Sequence, residues 1–257
     1  VSREALAAIG DTPLMQQLEE ESYKNAYAVT QDLKRGVVAA VEALANEAIW
    51  YIKHTPDNKF HDQDETDDNF ETMMRDDCLV FIYRLLFIFY AESRPDLDIL
   101  PINDQTYQRG YSLEMLRDLE QVNLITAEEL NGYFFDHSIK RLFALILRGY
   151  NEDRVDASSM TASFRVRHID SPLFSDTKLK VLVGVKFRNV VWQSIVCQLS
   201  LSQKQKGKPR GRISYANLGI NQLGSVYENL LAYRGFYAEE DYIEVHPKGD
   251  LVETYLQ

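Results

Sequence analysis

The sequence has little of what most recognisable chemistry needs. Its 257 residues include two cysteines, Cys78 and Cys197. Each sits in an apolar run without the spacing of a metal-ligand set or a redox pair. Both are therefore expected as small buried hydrophobes in a reducing compartment. No P-loop, G-x-G-x-x-G, H-E-x-x-H, G-x-S-x-G or C-x-x-C occurs. Those chemistries rest on backbone cradles or ligand spacings that are visible in sequence, so the commonest nucleotide, zinc and serine-nucleophile enzymes are excluded. Long hydrophobic runs are missing too. The longest, residues 78–91, carries Arg84 in its middle and is flanked by Asp76, Asp77 and Glu92. It falls short of the ~20 residues that cross a bilayer and reads as a buried helix, with no membrane partner. The chain opens on Val1, and no basic and apolar signal segment follows. The natural amino terminus is expected elsewhere, and the location is expected to be cytoplasmic.

What is present is globular: 45% apolar and 26% charged residues, in a chain long enough to bury a sizeable core. The net charge of −11 argues against a surface that coats nucleic acid all round. Its distribution is uneven. Residues 57–77 hold nine acids against Lys59 and Arg75, whereas residues 203–212 hold Lys204, Lys206, Lys208, Arg210 and Arg212 and no acid.

Thr12-Pro13 marks a helix start, and the helical pattern runs towards Lys53 with a break expected near Arg35-Gly36. Val37, Val41, Leu44 and Ala48 form one apolar stripe. Residues 54–69 are polar and acidic, an exposed loop of disordered composition. A helix over 70–93, apolar all round at its centre, is predicted in the middle of the bundle, ending before Pro95. Ser112 caps a short helix over 113–122. Thr126 with Glu129 forms a capping box opening a helix that carries Leu142, Phe143, Ile146 and Leu147 and ends at Gly149. Residues 164–167 alternate like a strand, 179–199 read as a long apolar helix, and 220–233 as another. Residues 242–245 and 251–255 read as two strands joined by His-Pro-Lys-Gly. The expected fold is mainly α, an irregular helical bundle with a small β-hairpin near the carboxyl terminus. It forms a single helical domain over 1–257, with sub-boundaries near 151–161 and 203–212.

Four constellations could carry chemistry. His61-Asp62 with Asp64, Glu65, Asp67 and Asp68 suggests a metal dyad, but it lies in a polar run without further histidines in register, and a solvated acidic loop is the better reading. The five cations of 203–212 alternate along a Gly/Pro segment and can follow a phosphate backbone. Arg165 and Arg167 share one face of the short strand and are expected to point into solvent. Fifteen tyrosines, several within 215–255, could stack bases. At helical spacing, however, Tyr227 and Leu231 read as core. No catalytic residue can be named among thirty-nine acids.

One segment is distinctive: Ile213-Ser-Tyr-Ala-Asn-Leu-Gly-Ile-Asn-Gln-Leu-Gly-Ser-Val-Tyr-Glu-Asn-Leu-Leu231. It resembles the block ahead of the catalytic domain in large adenine-specific DNA methyltransferases of type IIG restriction-modification, DISARM and BREX phage-defence systems. The family pattern, a tyrosine, a leucine-glycine and then L-G-x-[IV]-Y-E-x-L-L, is met by Tyr215, Leu218-Gly219, Leu223-Gly224, Val226-Tyr227-Glu228 and Leu230-Leu231. Arg84-Leu-Leu-Phe-Ile-Phe-Tyr-Ala-Glu-Ser-Arg94, with Leu100-Pro101, is similar to the family's R-L-L-F-x-x-Y-A-E-x-R segment. Tyr111-Ser-Leu113 fits the stretch after it. The continuation over 233–245 is most similar to DISARM-type enzymes. Together the blocks span roughly residues 70–245.

The resemblance implies a non-catalytic helical region. It would brace an adjoining methyltransferase domain and contact double-stranded DNA through Lys204, Lys206, Lys208, Arg210 and Arg212. S-adenosylmethionine would belong to the parent protein. The glycine-rich cofactor turn, the N-P-P-Y-type loop that holds a flipped adenine, the S-Y-Y-T-P-like lead-in and a D…E-x-K nuclease set are all absent, so this region alone is expected to be inactive. In physical terms Gly219 and Gly224 would let the last helix start tightly and pack closely. Tyr227, Leu230 and Leu231 would form its buried side, and Glu228 would need a buried partner such as Arg84. A reading of a different class is a helical protein-interaction module of a defence complex that makes no DNA contact.

Overall fold

The computed structural model describes residues 8–9, 12–150, 165–202, 210–232, 235–238, 243–245 and 254–256; for 8–9, 12–15, 18–26, 243–245 and 254–256 it describes the backbone only. Its architecture is mainly helical: α1 (Leu14–Lys53), α2 (Asp68–Ser93), α3 (Gln105–Gly110), α4 (Leu113–Asp118), α5 (Ala127–Asn131), α6 (Phe134–Arg148), α7 (Asn189–Ser200) and α8 (Ile220–Ala232). The hairpin expected over 242–255 falls largely outside the described residues.

Helix α2 begins where Asp67 accepts from the backbone N–H groups of Asn69 and Phe70, with Asp68 and Glu71 favoured in the first turn by the helix dipole. It ends at Arg94, because the following Pro95 disfavours helical backbone in the residue before it. As expected for an all-round apolar segment, it buries Cys78, Leu79, Phe81, Ile82, Leu85, Leu86, Ile88 and Phe89. Helix α1 lies along α7, α8 and α2. Its stripe Val37, Leu44 and Ala48 is fully buried in a single core that extends from Leu33 to Leu230. Each buried Leu, Ile or Phe contributes about 1.5–3 kcal/mol relative to exposure.

Several expected boundaries are corrected, two of them for a tertiary reason. Helix α1 runs unbroken through Gly36, because that glycine is the point where α1 crosses α7. A Cβ there would stand 2.1 Å from the Gln198 carbonyl oxygen. The capping box at Thr126 and Glu129 forms, but it opens only the five residues of α5. The Asn189 side chain then wedges in, donating to Glu129 O at 2.9 Å and accepting from Phe135 N at 3.2 Å, so α6 starts afresh after Tyr133. Helix α4 stops at Asp118.

The segment 179–188, expected as helix, is irregular. Asp77 Oδ2 accepts the N–H groups of Lys180, Val181 and Leu182 at 2.8, 2.7 and 2.9 Å, and Gly184 adopts a positive φ of 79°. The segment 54–67 is folded rather than loose. Lys53 Nζ donates to Gln63 O and pairs with Glu65, and Phe60 meets Phe70 at 5.6 Å. The strand expected over 164–167 is reduced to one bridge between Val166 and Tyr150.

Candidate nucleic-acid interface

The basic segment follows α7 directly, and the structure shows how its base is built. Where α7 ends, the chain turns extended at Leu201 and pairs with the returning strand-like residue Arg212. Ser202 N donates to Gly211 O at 2.8 Å, Ile213 N to Ser200 O at 2.7 Å, and Gly211 N to Ser202 Oγ at 2.9 Å. The Tyr215 hydroxyl closes the base by donating to Leu199 O at 2.8 Å. The stems on either side of 203–209 are thus clamped together; Lys204, Lys206 and Lys208 lie outside the described residues.

The two arginines are described, and both are engaged within the protein. Arg210 Nε donates to Ser202 O at 2.7 Å, and its Nη2 to Cys197 O and Leu201 O at 3.3 and 3.2 Å. A cation on the last carbonyls of a helix meets both their unpaired lone pairs and the negative end of the dipole. Arg212 sits among three carboxylates: Glu114 at 3.0 Å, Asp118 at 3.0 Å, and the buried Glu120 at 3.4 Å. It also donates to Arg117 O at 3.2 Å. The hydrogen bond to Asp118, with the nearby Glu120 and Glu114 charges, holds the Arg212 guanidinium above its ordinary value. Burial pushes the Glu120 carboxyl up, against the pull of Arg212 and Arg117. None of these carboxylates stands out in sequence, because what gives each its role is a partner about a hundred residues away.

The three sequence blocks that carry the family resemblance converge here. Phe89 stacks on Tyr215 at 5.1 Å, and Arg117 lies over Phe89 at 5.7 Å while its Nη2 donates to Ile213 O. Glu92 accepts from the Tyr107 hydroxyl at 2.7 Å, from Leu113 N at 2.9 Å and from Glu114 N at 3.1 Å, tying α2 to the start of α4. Burial pushes the Glu92 carboxyl up to about 7 in spite of these three donors. A cleft of about 480 Å³ opens beside this junction, lined by Glu92, Tyr107, Arg109, Glu114, Met115 and Asp118.

Other expected residues stand differently. Arg84 is buried, but its guanidinium donates to Leu173 O, Ser175 O and Asp176 and lies over the Phe81 and Phe143 rings. Glu228 is exposed, so the expected Arg84–Glu228 pair does not form; the turn of α8 points Glu228 outward. Leu231 is likewise 66% exposed rather than core, whereas Tyr227 is half-buried, edge-on to Tyr83 at 4.7 Å. Gly224 faces open space and allows no close helix contact. Arg165 is exposed, and Arg167 pairs with Asp98 at 3.3 Å at the surface. His61 and Asp62 stand 3.7 Å apart in the 54–67 turn. Among the described residues no group of histidine, cysteine and acidic side chains is arranged to hold a metal. Nor is any described helix long and apolar enough to cross a membrane. No protein-family model matches the chain, and no curated protein or solved structure matches it either.

Proposed function

We propose that this chain is the non-catalytic helical region of an adenine-specific DNA methyltransferase from a restriction-modification or phage-defence system. It braces the adjoining catalytic domain and contacts the phosphates of double-stranded DNA through the basic segment 203–212. S-adenosylmethionine binds in the parent protein's catalytic domain, and the location is cytoplasmic. The observation that carries the reading is the convergence of the three resembling blocks, through Phe89 on Tyr215 and Glu92 on Leu113, directly beneath the clamped base of the basic segment. Segments chosen separately for their similarity to one family form one packed unit. The small carboxyl-terminal hairpin belongs to the same proposal, supported by antiparallel pairing of Ile243–Val245 with Thr254–Leu256.

Duplex binding measured by fluorescence anisotropy between 50 and 200 mM salt tests the phosphate contact. The reading expects affinity to fall steeply with salt and to drop when Lys204, Lys206 and Lys208 are changed to Gln. It also expects no methyl transfer from labelled S-adenosylmethionine by this chain alone. Transfer by this chain, or binding indifferent to salt, would overturn it.

A second reading, a protein-interaction module without DNA contact, is favoured by one observation. Helix α8 leaves two large apolar side chains on one face open to solvent, Ile220 near its start and Leu231 near its end, 77% and 66% accessible, and exposed apolar surface of this kind can seat a partner. That reading expects no salt-sensitive DNA binding.

A further inference from the structure

The five cations of 203–212 look equivalent in sequence, yet the structure treats two of them differently. Resting on the phosphate-contact reading, we infer that Arg210 and Arg212 are positioning residues that fix the base of the basic segment and are not themselves phosphate ligands. Arg212 already holds more negative charge than a phosphate offers. Glu114 and Asp118 each accept from it at 3.0 Å, and Glu120 adds a third carboxylate at 3.4 Å. The Glu120 side chain is fully buried, and Arg212 and the Ser200 hydroxyl are the groups that reach its oxygens. Withdrawing Arg212 to a phosphate would leave that carboxylate with Arg117 as its one remaining nearby cation. Removing one of the two cations beside a buried carboxylate costs more than one solvent-exposed phosphate contact returns.

Arg210 is bound as firmly by a different device. Its donors satisfy three carbonyls at and after the carboxyl end of α7, including Cys197 O within the helix. Releasing it would take that donor from the Leu201 and Ser202 carbonyls just past the helix end, while Cys197 O would keep its bond from Leu201 N at 3.0 Å. Both arginines sit on the returning stem; Arg210 ties it to 197–202 and Arg212 ties it to α4. Together they hold Leu201 against Arg212 and Ser202 against Gly211.

The salt dependence of duplex binding separates ligand from anchor. Each phosphate contact contributes about 0.9 to the slope of log K against log salt. In the full chain, Arg210→Gln and Arg212→Gln are expected to weaken binding several-fold with the slope unchanged. By contrast, Lys204→Gln, Lys206→Gln or Lys208→Gln should each lower the slope by about 0.9. Hydrogen exchange gives a second measurement that needs no DNA. The Ser202 and Ile213 amides should lose protection in either arginine variant. A slope reduced by about 0.9 in both arginine variants makes them phosphate ligands and overturns the inference, as does unchanged amide protection. If the wild-type chain shows no salt-sensitive duplex binding, the proposed function falls. The exchange measurement then still decides whether the arginines anchor the base.

Discussion

A single carboxylate oxygen of Asp77 receives the backbone N–H of Val181 at 2.7 Å, together with those of Lys180 and Leu182. This one side chain from the middle of α2 sets the path of a segment some hundred residues later. Both partners are buried, so no water can replace the acceptor. Asp77→Ala should destabilise the protein by about 3 kcal/mol, the scale expected when buried N–H groups lose a charged acceptor. Asp77→Asn, which keeps one acceptor oxygen, should cost less. Urea denaturation midpoints distinguish the two; equal losses would mean that shape rather than hydrogen bonding holds 179–188.

Gly36 and Gly224 both lie inside helices, and an alanine at an exposed helical site is normally worth about 0.5–1 kcal/mol over glycine. Their environments give opposite signs. A Cβ at Gly36 would collide with the Gln198 carbonyl at 2.1 Å, and backbone cannot move aside cheaply. Gly36→Ala should therefore destabilise by about 1–3 kcal/mol. At Gly224 nothing lies within 4 Å, so Gly224→Ala should stabilise by about 0.5–1 kcal/mol. Thermal melts of the two variants should move in opposite directions.

The half-buried carboxyl of Glu92, raised from its ordinary value of 4.5 to about 7, makes stability depend on pH in a defined window. The folded state holds this proton more tightly than the unfolded chain. Stability due to Glu92 is therefore fully present below about pH 4.5, falls as pH rises, and is lost above about pH 7, by up to about 3 kcal/mol. Glu92→Gln removes the titration, although it also replaces an acceptor of the Leu113 and Glu114 amides. The variant should be less stable at low pH, with the gap narrowing between pH 4.5 and 7. A gap constant across that range would show that Glu92 does not titrate there.

Local signals in the sequence carried much of the helical framework. The Asp67-capped start of α2, its stop before Pro95, and the Thr126–Glu129 capping box depend on residues within a few positions of each other, so periodicity and capping rules find them. What the sequence hides is set from a distance. Residues 179–188 have the apolar content of a helix, but Asp77 claims their amides. Asn189 splits α5 from α6, and the crossing at Gly36 has no local signature. The candidate interface divides in the same way. Its run of cations is plain in the sequence, while the carboxylates of α4 that hold Arg212 become visible only when α4 and the loop base are brought together.

Arg188 and Glu47 offer the clearest test of how a buried ion pair contributes here. Arg188 Nε and Nη2 each donate at 2.7 Å to the two oxygens of Glu47, which is only 4% exposed. Its guanidinium also lies 3.9 Å from the centre of the Trp50 ring. Arg188→Ala would strand the Glu47 charge and should cost about 3–5 kcal/mol. Arg188→Lys keeps the charge but loses the two-pronged geometry and the flat stacking face, and should cost about 1–2 kcal/mol. Replacing both partners with apolar residues of similar size, Glu47→Leu with Arg188→Met, removes the unpaired charge and should recover most of the loss. Denaturant midpoints for the three variants decide between pairing and packing. A double variant as unstable as Arg188→Ala would place the contribution in the arginine's contact with Trp50 rather than in the salt bridge.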